Sequence, residues 1–154
     1  MSLWSDGKDF LYGALRQAQL ANIFFPKWTV RVYIPIELSI PGNLIHKIKS
    51  LRAEIIYIDM KAVQIPINLI TLLVVDEKEV DYFMIRDVRH RFCECDVQET
   101  KNFMSTNKSV NLFMSNVNNS RMVFLPELWE GYAPTLRSKL NGKRYSMKQF
   151  IRVC

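Results

Sequence analysis

The densest run of chemistry-bearing side chains is Arg86-Asp87-Val88-Arg89-His90-Arg91: three guanidinium groups, an imidazole and a carboxylate within six residues. Guanidinium forks match phosphate oxygens through paired hydrogen bonds. A carboxylate offers hard oxygen to a divalent cation, but one carboxylate rarely holds it without help. Two chemistries are therefore open: a pyrophosphate cradle of Arg86, Arg89, His90 and Arg91, or half of a cation site on Asp87. Asp87 also has the chemistry of a base or a ribose contact. The plainer reading pairs Arg86 with Asp87 or another nearby acid and leaves Arg89 and Arg91 as solvated loop charges. Most surface charges behave in that way.

Other candidates carry less. His90, Cys93 and Cys95 have zinc-ligand chemistry, yet structural zinc sites usually pair a C-x-x-C knuckle with two distant ligands. Only His46 remains elsewhere, so the cysteines, three in all with Cys154, are read as surface or half-buried thiols. His46 sits in a helical pattern beside Leu44, Ile45 and Ile48, which favours packing or solvent exposure over catalysis. The sequons at Asn107 and Asn118 matter only in a secreted chain. The sequence contains no P-loop, G-x-G-x-x-G, H-E-x-x-H or G-x-S-x-G motif.

The elements that position the charged run follow from periodicity. Phe10, Leu11, Ala14, Leu15, Ala18, Ala21 and Ile23 recur at the helical period, and Pro26 ends the pattern. Residues 28–34 read as a strand closed by Pro35, residues 43–51 as a helix opened by Pro41-Gly42, and residues 53–58 as the next strand. Leu69–Val75 is apolar enough for either a short helix or a strand. Val80–Ile85 is a strand that delivers the charged run at its carboxyl end, where open α/β sheets bind ligands. Residues 94–104 read as helix, 110–114 and 122–125 as strands, the region from Pro126 to Trp129 onward as irregular or helical, and 146–153 as a last helix. Ser2-Leu3-Trp4 looks like the end of a strand whose start is missing, and Trp4 and Trp28 are expected in the core. Strand–helix–strand alternation predicts one α/β domain over residues 1–154 with a mainly parallel sheet.

The totals agree with a single globular domain: 154 residues, 49% hydrophobic and 12% aromatic. The formal net charge of +6 is a property of the end of the chain. Residues 131–154 hold Arg137, Lys139, Lys143, Arg144, Lys148 and Arg152 and no acid, while residues 1–130 are balanced. Such a segment suits phosphate or an anionic surface, but no nucleic-acid-binding signature accompanies it, which argues against nucleic acid as the main partner. The longest apolar run is too short to span a bilayer, and no signal peptide is visible. The expected location is cytoplasmic by default, or the secretory pathway if the chain is a fragment.

Several segments together resemble a family of GT-A-type glycosyltransferase-like proteins. Phe25-Pro26-Lys27-Trp28-Thr29-Val30-Arg31-Val32-Tyr33 is similar to that family's YPGW-x-x-R-x-Y segment. Ser2-Leu3-Trp4 with Tyr12-Gly13-Ala14 resembles its first strand and helix. Leu51-Arg52-Ala53-Glu54-Ile55 resembles its GAEI strand, with Arg52 in the place of glycine. Val80-Asp81-Tyr82-Phe83 precedes a counterpart of its Arg-Asp-x-Asp-Ser-Arg motif, and Trp129 matches a late tryptophan.

The resemblance implies a GT-A-like, mostly parallel sheet with flanking helices, here incomplete at both ends. It also implies a divalent metal such as manganese on the Asp-x-Asp pair, neutralising the pyrophosphate that leaves during glycosyl transfer. This chain departs from the pattern where the chemistry lies. Arg89 replaces the second aspartate, and polar family positions fall on Ile70-Thr71-Leu72, Cys95-Asp96, Met114–Asn119 and Pro126-Glu127. The expectation is a glycosyltransferase-like pseudoenzyme without a metal cofactor, retaining at most a nucleoside diphosphate or glycan as ligand. The alternatives are a metal-independent transferase using the arginine cluster, and an anion-binding or nucleic-acid-binding module working through the basic tail. Site candidates are Arg86, Asp87, Arg89, His90, Arg91 and Trp129, with Trp129 able to stack on a sugar or base.

Overall fold

The computed structural model describes residues 1–63, 65–117 and 121–141. In the first half, helix α1 (Lys8–Phe24) buries Leu11, Ala14, Ala18 and Ala21 on the face its periodicity predicts. It packs on strand β1 (Arg31–Pro35), helix α2 (Gly42–Ser50) and strand β2 (Glu54–Ile58). The two strands pair in parallel, from Arg31 opposite Glu54 to Pro35 opposite Ile58. Ser2 makes a parallel bridge to Tyr33 on the other side of β1, so the first residues do contribute a strand end. Leu3, Val32, Ile34, Ile48 and Val88 are wholly buried in this core.

Arg52, which closes α2, has φ of 63°. That left-handed conformation favours glycine, the residue that the resembled family carries at this position. Exposure of the tryptophans departs from expectation: Trp4 is exposed, its ring tilted against that of Phe10 with centroids 4.5 Å apart, and Trp28 is only half-buried.

After a short helix α3 (Met60–Val63), the ambiguous apolar run forms 3-10 helix over Ile67–Asp76. Strand β3 (Tyr82–Ile85) follows, starting two residues later than expected, then helix α4 (Glu94–Met104) with the bounds that the sequence predicts. Strand β4 (Val110–Val117), strand β5 (Arg121–Tyr132) and helix α5 (Ala133–Asn141) complete the described chain. The second core gathers Tyr33, Ile65, Ile70, Val75, Phe83, Ile85 and Ala133.

Here the mostly parallel sheet is corrected. Beyond the parallel β1–β2 pair, the strands form an antiparallel sheet in the order β3-β5-β4. The cause is local, because β4 and β5 are close in sequence and pair along most of their length, from Val110 opposite Gly131 to Val117 opposite Arg121. β5 then runs on through Pro126, where an irregular or helical region is expected, and pairs with β3. The molecule is mixed helix and strand. No described helix is long and apolar enough to cross a membrane.

Two of the six basic residues of the C-terminal region fall within described helix α5. Arg137 donates to the carbonyls of Val75, Glu77 and Val80, clamping the turn that leads into β3, and Lys139 reaches Ser109. The other four, and the expected helix at 146–153, lie outside the described residues.

Candidate functional site at the end of β3

β3 delivers the charged run as expected, but its members do not face one ligand. Arg86 is 3% exposed and turns inward. Its guanidinium donates to the carbonyls of Ile85 (2.9 Å) and Trp129 (3.3 Å) and lies 3.6 Å from Asp96 and 4.0 Å from Glu130. Both acids are buried and separately anchored. Glu130 accepts from Thr100 Oγ1 at 2.8 Å and Asn111 Nδ2 at 2.9 Å. Asp96 accepts from the Cys93 N–H at 2.9 Å and lies 3.1 Å from His90 Nε2.

Burial lowers the pKa of Arg86, opposed by the charges of Glu130 and Asp96. Burial pushes the Asp96 carboxyl upward, but the His90 and Cys93 hydrogen bonds and the Arg86 charge outweigh it and hold the carboxyl below its ordinary range. This buried network joins β3, α4, β5 and the loop. Removing one member of such a network leaves an uncompensated charge inside, so it fixes geometry more than it supplies net stability.

The outer members are also engaged. Arg89, with its side chain 57% exposed, grips the Asp87 carboxylate with Nε at 3.0 Å and a terminal nitrogen at 3.2 Å. The Arg89 backbone N–H donates to the same carboxylate at 2.6 Å, and the guanidinium lies over the Phe10 ring, 5.2 Å from its centroid. Arg91 donates to the carbonyls of Val88, Arg89 and His90, closing the loop on itself. Trp129 packs edge-on against Phe83, centroids 4.9 Å apart, as part of the second core. His46 is exposed on α2.

The plain pairing expected for Arg86 is thus present with a different acid: Asp96 and Glu130 take Arg86, while Asp87 takes Arg89. Of the three guanidinium groups, those of Arg89 and Arg91 belong to exposed residues and that of Arg86 is buried. Sequence reasoning does not single out Asp96, Glu130 or Thr100. Asp96 had one signal: it stands three residues after the helix-starting Cys93, where a carboxylate reaches back to cap the helix.

Helix α1 braces the loop from beneath. A Cβ on Gly13 would lie 2.7 Å from the Val88 carbonyl oxygen, so only glycine permits this approach. Cys93 and Cys95, expected as thiols, are joined by a disulfide at the start of α4. The helix-initiating turn brings their Cα atoms to 5.2 Å, within ordinary disulfide range. Their sulfurs and the Asp96 carboxylate lie within 4.8 Å of one another, but a sulfur in a disulfide is not a thiolate ligand.

No protein-family model, curated protein or solved structure matches this chain.

Proposed function

We propose that the chain is a glycosyltransferase-like domain without metal-dependent nucleotide-sugar catalysis. One observation carries the reading: the Arg89 fork occupies the Asp87 carboxylate, at the position where the resembled family places a second metal-binding aspartate. Asp87 is half-buried but Arg89 is largely exposed, so solvent screening keeps the pair to about 1 kcal/mol and it does not by itself bar a cation. What position 89 no longer supplies is the second carboxylate, and a guanidinium there repels the ion that the first would attract.

The fold resemblance is supported by the parallel strand–helix–strand half, by β3 ending at the charged run, and by the left-handed backbone of Arg52 at a family glycine. The metal-independent alternative needs several guanidinium groups turned toward one ligand. Here Arg86 and Arg91 are directed into the protein and the loop, so no observation favours it.

The test is a thermal-shift titration with UDP, GDP and their sugars, with and without manganese, on the wild type and Arg89→Ala. A ligand that binds only the folded state raises the melting temperature. The account expects no manganese-dependent rise with any nucleotide. A manganese-dependent rise in the wild type contradicts it, and a metal-independent rise abolished by Arg89→Ala reinstates the arginine-based transferase.

A further inference from the structure

Four side chains with metal-ligating atoms converge where the charged run meets α4. Cys93 caps the helix, and Cys95 and Asp96 lie in its first turn. The two sulfurs and an Asp96 carboxylate oxygen lie within 4.8 Å of one another. The Cys93 sulfur is 3.2 Å from Asp96 Oδ2, and His90 Nε2 is 3.2 Å from the same oxygen and 3.1 Å from Oδ1. Donors around a tetrahedral zinc, at bond lengths of about 2.0–2.3 Å, stand roughly 3.3–3.8 Å apart. These contacts are slightly closer than ligation needs, so an ion between them spreads the donors rather than gathering them from afar. The distant pair of ligands that C-x-x-C sites use is replaced here by His90 and Asp96, on either side of the cysteines in sequence.

The surroundings favour a cation. Asp96 is 4% exposed, accepts from the Cys93 N–H at 2.9 Å, and has the Arg86 guanidinium 3.6 Å from Oδ1. Ligating carboxylates are commonly oriented by such outer partners. Zn²⁺ with two thiolates, one carboxylate and a neutral imidazole carries one net negative charge, and Arg86 stands beside it to balance that charge. Cys95 is exposed, and Cys93 and His90 are half-buried, so an ion reaches the ligands from solvent. The other common use of paired cysteines, exchange with outside thiols, is opposed by the same carboxylate. A free Cys93 thiolate so close to Asp96 is repelled, whereas a divalent cation is attracted by both.

We propose that His90, Cys93, Cys95 and Asp96 form a redox-gated zinc site, shut while the cysteines are joined and open once they are reduced. In the disulfide the sulfurs are bonded to each other and carry no thiolate charge. A dithiol reductant opens the site: two electrons cleave the Cys93–Cys95 bond, the two sulfurs take the dithiol's two protons, and the dithiol's own sulfurs become bonded. Zn²⁺ then displaces both thiol protons to solvent and binds the two thiolate sulfurs, an Asp96 oxygen and His90 Nε2. Thiolate and imidazole select zinc over magnesium, calcium or manganese, which separates this site in chemistry from Asp87. Zinc held in this way ties the charged loop, through His90, to the first turn of α4.

The test is zinc binding by the full chain with the disulfide intact and after reduction by a phosphine. The phosphine becomes its oxide with oxygen from water, whose two hydrogens go to the sulfurs, and it adds no thiol of its own. Affinity is read by competition with a chromogenic chelator, and cobalt(II) in place of zinc reports coordination geometry in its visible spectrum. Cys95→Ser and His90→Ala alter exposed or half-buried side chains, and Cys154 is common to every form compared. Expected are no zinc uptake by the disulfide form, and one equivalent per chain after reduction with a tetrahedral, thiolate-ligated cobalt spectrum. Cys95→Ser and His90→Ala should each weaken binding by at least about tenfold. Failure of the reduced chain to bind zinc overturns the proposal. Binding as tight in His90→Ala as in the wild type also overturns it, assigning the ion to the thiols alone, and so does zinc held by the disulfide form.

Discussion

At the scale of single residues, the charged run divides by direction. Arg86 faces inward to Asp96 and Glu130, Arg89 forks onto Asp87, and Arg91 holds loop carbonyls. Asp96 is the member whose ionisation matters most to stability. Its folded pKa is depressed, so its contribution is fully present above the unfolded value of about 3.9 and is lost as pH falls through the folded value. Asp96→Asn should therefore cost about 2–3 kcal/mol at pH 7, less than for a fully orphaned charge because Glu130 remains beside Arg86. Urea unfolding at pH 7 and at about pH 3 checks this. The gap between variant and wild type should narrow in acid, whereas a gap independent of pH would remove Asp96 from the network.

At the scale of elements, α1 positions the loop more directly than β3 does. β3 delivers residues 86–91, but the contact between Gly13 and the Val88 carbonyl sets how closely the loop lies on the helix. Alanine is the better helix former by about 1 kcal/mol, yet its methyl would meet backbone that has little freedom to yield. Gly13→Ala should lower stability by about 1–3 kcal/mol, with the loss read in denaturant unfolding and in faster amide exchange at Arg89 and His90. A stabilised Gly13→Ala would mean that the loop gives way.

Much at this scale was legible in the sequence. Apolar residues at the helical period and a following proline marked α1, and the bounds of α4 were read correctly. The antiparallel sheet was not legible, because Pro126 looks like a strand end, whereas β5 continues through it. The destination of Arg86 was hidden for another reason. Its partners come from residues 96 and 130, and nothing local says that a charge beside a solvent-facing loop will turn into the core.

At the scale of the whole molecule, two cores sit on either side of a seam, one built on the parallel pair and one on the antiparallel sheet. The end of β3 and its loop contribute to both, Ile85 to the second core and Val88 to the first, and a cavity of about 540 Å³ is lined by residues of β1 and β3. In the proposed reading, Asp87 is a carboxylate held by Arg89 and not half of a cation site. Its most direct test is manganese binding, followed by electron paramagnetic resonance, in the wild type and in Arg89→Asp. The account predicts no manganese bound by the wild type at the loop, and a gain of binding in Arg89→Asp that Asp87→Asn removes. Manganese bound by the wild type and lost in Asp87→Asn would contradict it.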